Sequence, residues 1–157
     1  MSETVYVETS VISYLTARPS NDLRAMANQS TTIEWWETLR PNYRIFASDL
    51  VISEASRGHA EASRRRLAIL ADIPLLEISE HVRGLARMLI ESHALPQKAE
   101  ADAYHIAIAA VNGVAYLLTW NCTHIANAHT RPKVELTCRE YGYEPPVICT
   151  PLELMES

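Results

Sequence analysis

Short apolar, β-rich runs alternate along this chain with longer stretches of helical periodicity. The runs fall at 4–8, 43–48, 75–78, 114–119 and 146–149, each short enough to be a strand. Between them the pattern predicts helices over 11–16, 22–39, 49–57, 60–71, 80–92, 98–112 and 132–141. Ser79 stands where an N-cap belongs, with Val82 and Leu85 behind it. Gly113 and Gly142 follow the last two helices as C-terminal stops. The run VAYLLT hardly alternates, so it reads as a strand buried on both faces, as in a parallel sheet covered by helices. Alternating strands and helices of these lengths predict an α/β sandwich with right-handed crossovers. In such a sheet the functional crevice lies at the carboxyl ends of the strands.

Composition narrows the class. A chain of 157 residues, 48% hydrophobic and 21% charged, suits one domain spanning 1–157 with a sizeable core. The net charge of −5 excludes a strongly basic nucleic-acid wrapper, but not an enzyme that cuts nucleic acid at a local acidic site. Glu3, Glu8 and Arg18 leave no apolar core for a secretory signal in the first twenty residues, and no run is long enough to cross a bilayer. Three cysteines without CxxC spacing read as free thiols in a reducing compartment, so a cytoplasmic protein is expected, with no membrane partner. Two other classes fall away. There is no GxGxxG or GxxxxGK[ST] for nucleotide phosphates, and neither Lys98 nor Lys133 lies where a phospho-acceptor receiver needs its lysine.

Polar residues collect at the predicted strand ends. The first strand runs into Glu8-Thr9-Ser10; the second leads into a helix carrying Glu54. The Ala-rich helix opens with Glu100 and Asp102, and the strand VAYLLT ends in Trp120-Asn121. Each has an ordinary explanation: Thr9 and Ser10 as helix caps, Glu54 as a solvated helix residue, Asp102 as a favourable charge in a first turn, Asn121 as a turn residue. Their conjunction is the signal. Ala103, Ala107, Ala109 and Ala110 keep one helix wall thin enough to hold Asp102 close to the strand ends.

The ordered set YVETS, SDLVISEASRG, ADAYHIAIAA and YLLTWNCTHIAN resembles the PIN-domain nucleases, particularly toxins of the VapC type from bacterial toxin–antitoxin pairs. The resemblance runs from residue 5 to about residue 150. It implies a three-layer α/β/α sandwich with a central, mainly parallel sheet of about five strands. It also implies metal-dependent endonuclease activity on RNA, a cognate antitoxin and a homodimer. By position Glu8 takes the place of the family's first Asp, Glu54 is the second acid and Asp102 the third. Asn121 stands where an acid or Asn follows the fourth strand. Glu8 adds a methylene to the usual Asp, and Asn121 offers a neutral amide oxygen.

Such a set of oxygen donors selects Mg²⁺ or Mn²⁺ over zinc. Glu8 and Asp102 are expected to bind the principal ion. Glu54 orients water or holds a second ion, and Asn121 positions water or a ligand. Thr9, Glu100, Thr119 and His105 are the groups expected to back these ligands, although His105 reads first as a packed core histidine, and His124 as structural or surface. Phosphate contacts must come from outside the acidic pocket, and Arg57, Arg64 and Arg65, with Arg66, are the candidates. Ile33, Trp36 and Leu39 lie at helical spacing and predict one apolar stripe, for core packing or a partner. The leading expectation is a metal-dependent endoribonuclease restrained by an antitoxin. The alternative is a PIN-fold RNA-binding or assembly module whose chemistry is weakened by Glu8 and Asn121.

Overall fold

Four parallel strands make up the sheet of the computed structural model, which describes residues 2–155. They are β1 (Glu3–Val7), β2 (Tyr43–Phe46), β3 (Tyr116–Leu118) and β4 (Val147–Cys149), in the order β2-β1-β3-β4. β1 is central: Val5 pairs with Ile45 on one side and with Tyr116 on the other. With neighbours on both edges and helices on both faces, Val5, Tyr6 and Val7 are fully buried, as are Leu117 and Leu118. The near-continuous apolar runs of these strands follow from that double burial.

The helices are α1 (Thr9–Thr16), α2 (Leu23–Glu34), α3 (Asp49–Ala55), α4 (Ala60–Leu70), α5 (Glu80–Glu91), α6 (Glu100–Val111) and α7 (Arg131–Glu140). Their contacts fall into two groups, α1 with α2, α3 and α4, and α5 with α6 and α7. Right-handed crossovers account for the layering: β1 to β2 and β3 to β4 run in opposite directions, which sends α1–α2 and α7 to opposite faces. α5 is amphipathic, burying Val82, Leu85, Ala86 and Leu89 at helical spacing, and Ser79 caps it by accepting the Val82 N–H. α6 buries seven residues from Ala103 to Ala110, including four alanines, and it ends at Gly113, whose φ of 70° suits glycine alone without strain.

The three-layer α/β expectation stands, with two local corrections. The expected fifth strand at 75–78 contributes only a single bridge, Ala47 to Leu75, bounded by hydrogen bonds from Ala47 to Pro74 and from Leu76 to Ala47. Leu75 is 44% exposed there, so its apolar character does not reflect a buried strand. The expected single helix over 22–39 ends as α-helix at Glu34, passes into a π-helical turn at Trp35–Leu39 and closes with a 3₁₀ turn at Arg40–Asn42. The wider turn changes which side chain faces inward. Trp35 is fully buried and stacked on Tyr43 at 5.7 Å, whereas Ile33 is 40% exposed and Trp36 lies under the Arg40 guanidinium at 4.7 Å. Of the expected stripe, Trp36 and Leu39 pack half-buried against the core, while Ile33 stays outside it.

No helix among the described residues is long and apolar enough to cross a membrane. The chain leaves β1 towards one edge of the sheet and leaves β3 towards the other. The carboxyl ends of these adjacent strands consequently flank a topological switch point, where an α/β sheet opens a crevice.

Candidate functional site

Both strand ends deliver polar side chains into that crevice. Glu8 follows β1 directly; its backbone N–H still donates to the Leu118 carbonyl at 3.0 Å, and the residue is only 6% exposed. Its Oε1 accepts two hydroxyls, from Ser10 and, at 2.5 Å, from the fully buried Thr119 just past β3. Each hydroxyl is itself held by the loop after β3: Ser10 Oγ accepts the Trp120 N–H at 2.8 Å and Thr119 Oγ1 accepts the Asn121 N–H at 2.9 Å. The Trp120 indole anchors this loop by donating to Thr32 on α2 at 2.7 Å.

Glu54 comes from α3, whose N-cap Ser48 accepts the Val51 N–H. Glu54 Oε1 accepts the Thr9 hydroxyl at 2.5 Å and faces His105 Nε2 at 2.7 Å. His105 is completely buried in α6. Its Nδ1 lies 2.8 Å from the Tyr6 hydroxyl, which lies 2.7 Å from Ser48 Oγ. Burial pushes the Tyr6 phenol far above its usual range, so it keeps its proton. Burial also pushes the Glu54 carboxyl up. The His105 hydrogen bond and charge, the Thr9 hydroxyl and the Arg57 charge together outweigh it and hold that carboxyl below the ordinary carboxylate range.

Asp102 opens α6 beside this pair. Its Oδ1 accepts from Asn121 Nδ2 and its Oδ2 from His124 Nδ1, both at 3.0 Å. The Asn121 side-chain carbonyl in turn accepts the His124 N–H at 3.1 Å. Glu8, Thr119, Asn121 and Asp102 thus form one hydrogen-bonded path across the crevice.

Glu8, Glu54 and His105 each present one ligand atom, and these atoms all lie within 4.8 Å of one another. Every hydrogen bond to the two carboxylates ends on Oε1, so among the described residues neither Oε2 is engaged. Two anions held this close with an oxygen each to spare are electrostatically suited to a divalent cation. Glu8, Thr119, Asn121 and Asp102 form one hydrogen-bonded network and Glu54, Thr9 and His105 a second, and the two meet where Glu8, Glu54 and His105 converge. Glu100 does not join: it is exposed and lines a surface groove with Arg83 and Tyr104. Among the arginines, Arg65 is committed to the Thr16 carbonyl and Glu61, and Arg66 to the carbonyls of Ala55 and Arg57. Arg57 and Arg64 are exposed, and among the described residues no hydrogen bond or ion pair holds either guanidinium group.

Four contributors escape a reading of the sequence. Ser10 sits in the ETS motif but reads as a helix cap, and Tyr6 as strand core. Ser48 reads only as the last residue of the run 43–48. His124 reaches Asp102 through a turn whose direction no periodicity reveals.

The chain matches the family model of the PIN domain over residues 5–121. Its fold is similar to the crystal structure of Mycobacterium tuberculosis VapC20, a sarcin–ricin loop cleaving toxin. The TM-score is 0.60 at 17% identity, with 77% of this chain and 92% of that chain covered. No curated protein sequence gives a significant match.

Proposed function

The chain belongs to the PIN domain family, and on that premise we propose that it is a Mg²⁺- or Mn²⁺-dependent endoribonuclease, the toxin of a toxin–antitoxin pair. The observation that carries this reading is the pair of crowded carboxylates, Glu8 and Glu54, each tied at Oε1 and open at Oε2. An all-oxygen, doubly anionic donor set fits a hard divalent cation better than a soft one. When bound, such an ion activates water and neutralises charge at the phosphoryl group.

The chain's own residues divide the remaining work. Glu8 and Glu54 hold the cation, with Asp102 alongside them. Thr119 and Ser10 keep Glu8 from swinging away, and Thr9 does the same for Glu54. Asn121 fixes Asp102 and leaves that side of the crevice for water and a phosphate oxygen. Arg57 and Arg64 meet the backbone of the RNA, whose charge the acidic crevice would otherwise repel. The fold shared with a toxin that cleaves the sarcin–ricin loop supports a structured RNA loop as the first substrate class to try. A cognate antitoxin and a homodimer belong to the same proposal, as does the cytoplasm as its setting.

The test is incubation of the purified chain with a structured RNA and Mn²⁺ or Mg²⁺, against EDTA and against Asp102→Asn and Glu54→Gln. Cleavage is expected only with metal, and a fall of about a hundredfold or more in each variant. Binding of RNA without metal-dependent cleavage would instead mark an RNA-binding or assembly module.

A further inference from the structure

The deepest polar feature of the molecule lies behind the crevice. Ser48, Tyr6, His105 and Glu54 form a continuous series of hydrogen bonds at 2.7, 2.8 and 2.7 Å, joining α3, β1 and α6. Ser48, Tyr6 and His105 are each 0% exposed. Buried polar groups of this kind are costly unless every proton has an acceptor, and here each does. Ser48 Oγ accepts the Val51 N–H and donates to Tyr6, Tyr6 donates to His105 Nδ1, and His105 Nε2–H donates to Glu54. If His105 is doubly protonated and donates from Nδ1 as well, Tyr6 turns its proton to Ser48. In both arrangements Nε2 carries hydrogen towards the carboxylate, so neither ring nitrogen has a lone pair to give a cation.

We propose that His105 is a positioning residue: clamped by Tyr6 and Ser48, it pins Oε1 of Glu54 so that this carboxylate offers a cation Oε2 alone. The inference rests on the reading of Glu8 and Glu54 as a cation centre and deepens it. His105 lies within ligand distance of both glutamates, yet it serves as a strut and not as a ligand. Ser48 has a double duty, since it also caps the helix that carries Glu54. Both the start of α3 and the tip of Glu54 are thereby fixed to the same central strand.

Three measurements on the full chain test this. In the metal-free protein, ¹⁵N-histidine NMR is expected to show His105 protonated at Nε2; an unprotonated Nε2 would overturn the proposal. With Mn²⁺ added, pulsed EPR is expected to show no directly coordinated histidine nitrogen. A strongly coupled nitrogen that disappears in His105→Gln would overturn it. His105→Leu is expected to weaken Mn²⁺ binding and lower kcat for RNA by about ten- to a hundredfold with KM little changed. His105→Gln, whose amide reaches the same point, is expected to recover to within about threefold. Tyr6→Phe keeps the shape of the core and is expected to lose about fivefold in Mn²⁺ affinity, which carries the test should His105→Leu fail to fold. Wild-type binding of Mn²⁺ with no loss in folded His105→Leu, or in Tyr6→Phe where His105→Leu does not fold, sinks the positioning role alone. No binding of Mn²⁺ by the wild-type chain sinks the cation centre and this role with it.

Discussion

Thr119 donates its hydroxyl to Glu8 at 2.5 Å across 111 residues of sequence, and the same oxygen accepts the Asn121 N–H at 2.9 Å. One buried atom therefore sets both the acid after β1 and the loop after β3. Thr119→Val, nearly the same shape, strips Glu8 of a donor and orphans a loop N–H. The expected cost is about 1–3 kcal/mol, read as a fall of roughly 2–10 °C in Tm, with Thr119→Ser close to wild type. Equal melting of the valine variant and the wild type would deny the threonine this role.

Crowded anions should leave the metal-free protein strained. At a separation within 4.8 Å and an effective dielectric of about 20, two carboxylates repel by about 3.5 kcal/mol or more before hydrogen bonds offset it. Glu8→Gln keeps the acceptor for Thr119 and Ser10 while removing one charge. Its melting temperature in EDTA is expected to equal or exceed that of the wild type. Mn²⁺ at about a hundred times its Kd should raise wild-type stability by about 2.7 kcal/mol and leave Glu8→Gln nearly unmoved. Differential scanning calorimetry with and without metal reads both effects.

The depressed Glu54 carboxyl gives a pH dependence of defined sign. Its contribution to stability is complete above its ordinary value near 4.5 and is lost as pH falls through the lower folded value. Denaturant titrations of the metal-free protein from pH 6 down to about pH 3 should show Glu54→Gln with the flatter acid limb. A variant that loses stability as steeply as the wild type over that window would contradict it.

Arg57, Arg64 and Arg66 should separate into two kinds. Arg57→Ala and Arg64→Ala, made in the Asp102→Asn background, are expected to weaken RNA binding and to make its logarithmic salt slope shallower by about 0.7 for each phosphate left without its arginine. Arg66→Ala should instead lower Tm, because its guanidinium bonds the carbonyls of Ala55 and Arg57. Fluorescence anisotropy over a salt series, set beside thermal melts, distinguishes the two outcomes.

What could be read from residues alone follows from the range of the forces involved. β1 and β3 are legible because burial on both faces writes an apolar run into the chain, and α5 because one face alone is buried. Residues 75–78 mislead for the converse reason: an exposed Leu75 looks like a buried one until its surroundings are known. The π turn at Trp35–Leu39 is invisible to a 3.6-residue period, and it is Trp35, outside the expected stripe, that is fully buried, while Ile33 within the stripe is exposed. Glu8 and Glu54 stand out because a strand end, or the helix just after one, is a place a charge can be held. The link between His105 and Glu54 spans 51 positions between two helices, and Tyr6 is indistinguishable by pattern from its apolar neighbours. Pairings through space leave no periodic trace.

The placement of the first strand in the middle of the sheet has a consequence for biosynthesis. As the polypeptide emerges from the ribosome, Glu8 waits for its partner Thr119 until 111 further positions have been translated. Until then β1 lacks one of its two flanking strands, and Glu8 lacks the hydroxyl that holds it. A product cut short before β3 therefore cannot seat Glu8, so the completed crevice appears only in a molecule that has closed its sheet around the first strand.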